Sequence, residues 1–112
     1  MGRLSTHVLD TVKGKPAAGV RIELHRLTPE GGWTSVVEMV TNADGRTDQP
    51  LLAGEAFAIG TYQLSFHIGD YFKAGATPFL DVVPLRFTIA EDAHYHVPLL
   101  ATPWSYSTYR GS

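Results

Sequence analysis

Histidine is the side chain of this sequence best suited to acid and base chemistry. The chain has five histidines and no cysteine, and histidine is the side chain that ordinarily changes charge near neutral pH. His25 and His67 occupy the polar positions of alternating strand patterns, which favours a solvated strand face for both. His94 and His96 are spaced to lie on one face of a strand, where a third ligand from another strand would complete a zinc site. That spacing is common, and we expect no functional metal.

Two further segments carry groups that bind polar ligands. Arg46 follows the tight-turn sequence Asp44-Gly45, where a solvated loop charge is the ordinary interpretation. The tail from Ser105 to Ser112 keeps aromatic, hydroxyl and arginine side chains to its last position, whereas chain ends are usually frayed. We therefore expect an ordered terminus, which serves either a site or an edge strand.

The composition excludes several classes of function. Without cysteine there is no disulfide, no thiolate metal site and no thiol nucleophile. The formal net charge is −2 with no block of like charge, which argues against a nucleic-acid partner. The apolar runs are too short for a membrane span. We also expect no secretory signal before Leu4. A single folded domain over residues 1–112 is expected from the length.

Short strands joined by turns are predicted to position these groups. Apolar residues alternate with polar ones in several segments, the period of a half-buried strand. The predicted strands are 4–10, 20–25, 33–41, a short piece after Arg46, 62–68, 85–89, 95–101 and 104–110. Turn residues at 13–16, 28–32 and 42–45 are expected to close hairpins. Residues 70–74 predict one short helix, capped by Asp70 and ended by Gly75. An all-β sandwich of two antiparallel sheets follows.

Four motifs follow one another along nearly the whole chain. They are Leu4-Ser5-Thr6-His7-Val8-Leu9-Asp10 with Gly14-Lys15-Pro16-Ala17, then Gly45-Arg46-Thr47-Asp48, then His94-Tyr95-His96-Val97-Pro98-Leu99-Leu100, and the terminal Tyr109-Arg110-Gly111-Ser112. In this order they resemble the transthyretin-related 5-hydroxyisourate hydrolase family. The terminal tetrapeptide is the most specific of the four motifs, because it distinguishes the hydrolases of the family from transthyretin, a hormone carrier of the same fold.

The resemblance implies a fold, an assembly and a reaction. The fold is a transthyretin-like (prealbumin-like) β-sandwich of two four-stranded sheets with one short helix, in a homotetramer whose active sites lie where dimers meet. The reaction is the hydrolytic ring opening of 5-hydroxyisourate, in urate degradation, to 2-oxo-4-hydroxy-4-carboxy-5-ureidoimidazoline. The implied catalytic residues are His7, Arg46 and His96, and the implied substrate-binding residues are Tyr109, Arg110, Gly111 and Ser112. Neither a metal nor another cofactor is implied, because arginine can stabilise an oxyanion and histidine can activate water.

Two other functions share this architecture. A carrier would bind a hydrophobic ligand in the same channel without changing it, although the polar residues named above argue against an apolar channel. An immunoglobulin-like adhesion module is disfavoured, because the chain lacks the cysteines of that core. The segment 101–104 departs from the common family pattern, which affects the expected shape of the pocket. We expect no peroxisomal tripeptide after Ser112, and we expect a cytoplasmic protein that binds no membrane.

Overall fold

The computed structural model describes residues 2–73 and 79–111. These residues form eleven strands, one α-helix and one turn of 3-10 helix. In chain order the elements are β1 Arg3–Ser5, β2 Val8–Asp10, β3 Lys15–Pro16, β4 Arg21–Leu27, β5 Trp33–Val40, β6 Leu52–Ala53, the 3-10 turn Gly54–Ala56, β7 Gly60–His67, α1 Ile68–Phe72, β8 Val82–Ile89, β9 His94–His96, β10 Leu99–Ala101 and β11 Tyr106–Thr108. No helix among the described residues is long and apolar enough to cross a membrane.

One layer is an antiparallel sheet in the order β5-β4-β7-β8. Its strands alternate as the sequence predicts, with Ile22 and Leu24 of β4 and Leu64 and Phe66 of β7 fully buried. The predicted turn at 28–32 closes the β4–β5 hairpin, and the amide of Thr28 donates to the carbonyl of Gly32 at 2.7 Å.

The second layer is built around a parallel pair, which the prediction of antiparallel sheets did not include. β1 pairs with β9 and β2 pairs with β10, both in parallel and with the same sequence offset. The two ladders are therefore one interrupted strand pair, flanked by β6 and β3 on one edge and by β11 on the other. With that pair counted as continuous, the layer has four strand positions, and the predicted sandwich of two four-stranded sheets is confirmed.

The predicted strands 4–10 and 95–101 are each broken in the middle. The breaks lie side by side, at Thr6 and His7 in one strand and at Val97 and Pro98 in the other. The Thr6 hydroxyl donates to the carbonyl of Val97 at 2.6 Å, and Pro98 has no amide to donate to a ladder. His7 consequently lies at a gap in the sheet.

Three further expectations were wrong. The helix begins at Ile68, earlier than predicted, and Asp70 lies in its first turn without capping it, because His67 holds the N-cap position. Ala74 and Gly75, the predicted helix end, lie outside the described residues. The turn at 42–45 closes no hairpin, because it leads from β5 in one layer to β6 in the other. The predicted terminal strand 104–110 is shorter and covers Tyr106–Thr108.

The core lies between the two layers. Leu4, Val8 and Leu99 from the second layer are fully buried against the apolar face of the first layer. The opposite face of the second layer carries the polar residues that alternate with them in the sequence. The candidate site lies on that face.

Candidate active site

His7 lies at the gap between β1 and β2, against the turn that carries Arg46. The amide of Val8 donates to the carbonyl of Gly45 at 2.8 Å, and the amide of Leu99 donates to the carbonyl of His7 at 2.9 Å. Gly45 has a φ of 73°, which favours glycine. A Cβ atom built on Gly45 would lie 3.2 Å from His7 Cδ2 and would also overlap the Val8 carbonyl oxygen. The absence of a side chain at Gly45 lets this turn pack on the imidazole.

Arg46 is held by the turn and not by a salt bridge. The Asn42 carboxamide oxygen accepts from the amides of Asp44 at 2.9 Å and Arg46 at 3.2 Å. The Asn42 amide in turn donates to the carbonyl of Arg46 at 2.8 Å. Arg46 itself is exposed, and within the described chain its guanidinium makes no ion pair of 4.0 Å or less. The Arg46 guanidinium is therefore exposed and has no ionic partner in the part of the chain that the structure describes.

His96 ends β9, and it is held along two edges of its ring. Its Nδ1 atom lies 2.9 Å from the hydroxyl oxygen of Ser5, which is opposite His96 in the parallel ladder. On its other edge lies Gly111, whose amide donates to the carbonyl of His96 at 2.8 Å. A Cβ atom on Gly111 would lie only 2.6 Å from His96 Cδ2, so the tail passes directly against the imidazole.

The electrostatics of the site favour neutral imidazoles. Burial lowers the pKa of His7 below its usual 6.5, and the nearby Arg46 charge lowers it further, against a smaller opposing effect of Asp44. Burial also lowers the pKa of His96, followed by the charges of Arg46, His7 and His94. Both effects disfavour the protonated ring. At neutral pH both histidines can therefore accept a proton.

The predicted tail residues divide between two places. Gly111 lies at His96, whereas Tyr109 and Arg110 line a groove of about 370 Å³ together with Tyr95 and Val97. Tyr95 alternates with His94 and His96 along β9 and so faces the other side of the layer. The Arg110 guanidinium carbon lies 4.0 Å from the centre of the Tyr95 ring. Ser112, the fourth predicted tail residue, lies outside the described residues.

His25 and His67 lie in the other layer, on β4 and β7. His67 does not simply face solvent as predicted, because its Nε2 atom lies 2.6 Å from a carboxylate oxygen of Glu23. The hydrogen bond from His67 lowers the pKa of Glu23. Because neither histidine belongs to the site layer, both are suitable controls for substitutions in it.

The spacing of His94 and His96 does place both rings on one face. Between them lies Ser5, whose hydroxyl oxygen is 3.0 Å from His94 Nε2 and 2.9 Å from His96 Nδ1. Among residues 2–73 and 79–111, no group of three or more histidine, cysteine, aspartate or glutamate side chains is arranged to hold a metal ion. Sequence reasoning did not identify Ser5 as a site residue. Its two-residue spacing from His7 is the signal that could have drawn attention to it.

The chain and its fold are similar to those of several known proteins. The chain matches the HIUase/Transthyretin family over residues 4–111. It is 60% identical to the 5-hydroxyisourate hydrolase of Deinococcus radiodurans, over 97% of this chain and 95% of that protein. Its fold is similar to a crystal structure of (S)-allantoin synthase, with a TM-score of 0.91 and 51% identity, over 99% of this chain but 44% of that one. It is also similar to sea bream transthyretin in complex with thyroxine, with a TM-score of 0.90 and 34% identity, over 97% of this chain and 94% of that one.

Proposed function

Because the chain belongs to the HIUase/transthyretin family, we propose that it is an enzyme that hydrolyses 5-hydroxyisourate. The observation that carries the proposal is the meeting of His7, Arg46 and His96 on one face of the second layer. Two imidazoles with lowered pKa values adjoin a guanidinium without an ionic partner among the described residues. The 60% identical relative carries the name of this hydrolase.

The proposed reaction is attack of water on the amide-like ring carbonyl. A neutral imidazole of the pair takes a proton from the water as the oxygen attacks the carbonyl carbon. Arg46 stabilises the negative charge that develops on the carbonyl oxygen, and its planar fork also orients a flat ring rich in oxygen and nitrogen. The carbon–nitrogen bond then breaks, and the imidazolium returns its proton to the leaving nitrogen. The product is 2-oxo-4-hydroxy-4-carboxy-5-ureidoimidazoline.

The tail supplies the remaining contacts of the proposed site. The backbone at Gly111 lies against His96, and Ser112 is the next residue in the sequence. We assign Ser112 and Gly111 to substrate binding, as the family resemblance implies. Tyr109 and Arg110 are also assigned to substrate binding, but in an indirect role. They line the groove behind β9 and hold the tail in place there, so that Gly111 stays at the site.

The site is proposed to be complete in a homotetramer, with the active sites at the dimer–dimer interface. Support comes from the openness of the site in one chain, where Arg46 is exposed. Large apolar side chains are also exposed, including Val12 at 63%, Trp104 at 70% and Tyr106 at 44%. Exposed apolar side chains that form a contiguous patch mark a protein–protein interaction site. Light scattering should give the mass of four chains.

Carriage of a small molecule without catalysis is the second candidate. The likeness to a transthyretin that binds thyroxine favours it. Against it stands the chemistry of the site, because a channel for an apolar ligand gains nothing from a free guanidinium beside two imidazoles.

The decay of freshly generated 5-hydroxyisourate separates the two candidates. The absorbance of the intact ring is followed with and without the protein. Catalytic amounts of the protein should accelerate the decay, and carbon-13 NMR should identify the ring-opened product. A carrier would bind the compound in stoichiometric amounts and leave the decay rate per free molecule unchanged, which would refute the hydrolase.

A further inference from the structure

The Ser5 hydroxyl is shared between two imidazoles. Its oxygen lies 2.9 Å from Nδ1 of His96 and 3.0 Å from Nε2 of His94. The two ring centres are 6.3 Å apart, so the rings do not touch and the hydroxyl bridges them. The parallel ladder creates this bridge, because Ser5 is opposite His96 and His94 is two residues earlier on the same face of β9.

A single hydroxyl proton limits how these three groups can be arranged. The hydroxyl can donate to one of the two nitrogens, and it must then accept from the other or leave that contact unmade. A neutral imidazole carries its proton on one of its two nitrogens. If Ser5 donates to His94, then His96 Nδ1 carries a proton and His96 Nε2 has a free electron pair. If Ser5 donates to His96, then His96 Nε2 carries the proton and cannot act as a base.

The packing of His96 leaves Nε2 as the ring nitrogen without a hydrogen-bond partner among the described residues. Ser5 occupies the Nδ1 edge of the ring, and Gly111 occupies the Cδ2 edge. A half-turn of the ring would bring Nδ1 to Gly111 and Cδ2 to the Ser5 hydroxyl, which would lose the hydrogen bond. Among the described residues, no hydrogen bond to Nε2 is formed.

We propose that Ser5, with His94 behind it, is a positioning residue that keeps His96 in the tautomer whose Nε2 is free to take a proton from water. The inference rests on the proposed hydrolase function and adds an identity for the base. The chain of donors runs from His96 Nδ1 to Ser5 Oγ and from Ser5 Oγ to His94 Nε2. When Nε2 of His96 takes the proton, the Nδ1 proton keeps its acceptor, so the imidazolium is stabilised where it forms. Second partners of this kind commonly select the tautomer of a working histidine.

The charged and titratable groups that face His96 set the background for any pH effect. They are Arg46 from the turn after β5, His7 from the gap between β1 and β2, and His94 from β9 itself, and all three lower the pKa of His96. Loss of the Ser5 hydroxyl leaves these charges in place. A change in the kcat of the Ser5→Ala variant therefore reports a change of the His96 tautomer and not a change of the electrostatic field at His96.

The test measures the tautomer of His96 in the absence of substrate and kcat in its presence. Nitrogen-15 NMR of the His96 ring above its pKa should show the proton on Nδ1 in the wild-type protein. In Ser5→Ala it should move to Nε2, and kcat should fall about 10-fold to 100-fold with little change in KM, the range found when an outer partner of a working histidine is lost. Ser5→Thr keeps the hydroxyl and should retain the wild-type tautomer and most of the rate. Ser65→Ala removes a buried hydroxyl from β7 in the other layer and should change neither.

A second variant guards against misfolding of Ser5→Ala. His94→Phe leaves Ser5 in place but removes the acceptor of its proton, so Ser5 should donate to His96 and kcat should again fall. A wild-type His96 that carries its proton on Nε2, or a Ser5→Ala protein with an unchanged tautomer and kcat, would overturn the inference. A wild-type protein that fails to accelerate decay of 5-hydroxyisourate would refute the proposed function instead, whatever the NMR shows.

Discussion

Replacement of Gly111 by alanine tests whether the tail positions His96. The new Cβ atom would lie 2.6 Å from His96 Cδ2 and 3.2 Å from both Cβ and Cγ of the same side chain. Carbon atoms in contact are about 3.5 to 4.0 Å apart, so the ring and the tail must separate by about 1 Å. A misplacement of about 1 Å in a catalytic geometry can cost about 10²-fold in rate. We expect kcat/KM to fall by that order.

The 5-hydroxyisourate decay assay measures this effect, and thermal unfolding shows whether the variant still folds. Gly111 has no φ in the left-handed region, so an alanine there adds no backbone strain and the loss reports the steric contact. Gly32→Ala is the matched control, because its Cβ would lie at an ordinary 3.5 Å from Thr28 Oγ1. Full activity of Gly111→Ala, at a melting temperature equal to that of the wild type, would show that the contact between the tail and His96 has no role in positioning.

Three further predictions concern pH, metal and the chain end. The pKa values of both site imidazoles are lowered, so the acid limb of the pH profile of kcat/KM should lie below pH 6.5. Arg46→Gln removes a cause of the lowering and should move the acid limb of the residual activity to higher pH. An unmoved limb would show that the Arg46 charge does not lower these pKa values. Activity should be unchanged or raised in a chelator and inhibited by zinc, which would occupy a base; loss in chelator, restored by zinc, would contradict this. A chain that ends at Arg110 should lose most turnover yet remain a tetramer by light scattering. A chain that ends at Thr108 should lose turnover and also assemble poorly. Wild-type turnover by the chain that ends at Arg110 would show that the tail is only an edge strand.

Local patterns in the sequence were sufficient to predict most of the first layer. The alternation in β4 and β7 puts Ile22 and Leu24 on the buried face, and the turn at 28–32 joins neighbouring strands. Both features depend on residues close together in the chain. The short helix was also visible, but its start was not, because the amide of Gly69 donates to the carbonyl of Asp81 at 2.8 Å and fixes this turn from another segment.

The second layer shows what local patterns do not contain. The pairing of β1 with β9 joins segments at opposite ends of the sequence, and nothing in either segment states that they are parallel. The bridge of Ser5 between two histidines depends on that register. The family resemblance predicted His7, Arg46 and His96 as site residues by motif, but the contact of Ser5 with His96 became visible only when the strands were paired.

The central claim is that His7, Arg46 and His96 act together on one substrate, and the decay of 5-hydroxyisourate in matched histidine variants tests it most directly. His7→Asn and His96→Asn should each lower kcat/KM by about 10²-fold or more with the fold intact, because groups that act as one unit cannot replace one another. His25→Asn, in the other layer, should retain wild-type turnover. Full activity of His7→Asn, or a loss in His25→Asn as large as that in His96→Asn, would contradict the account.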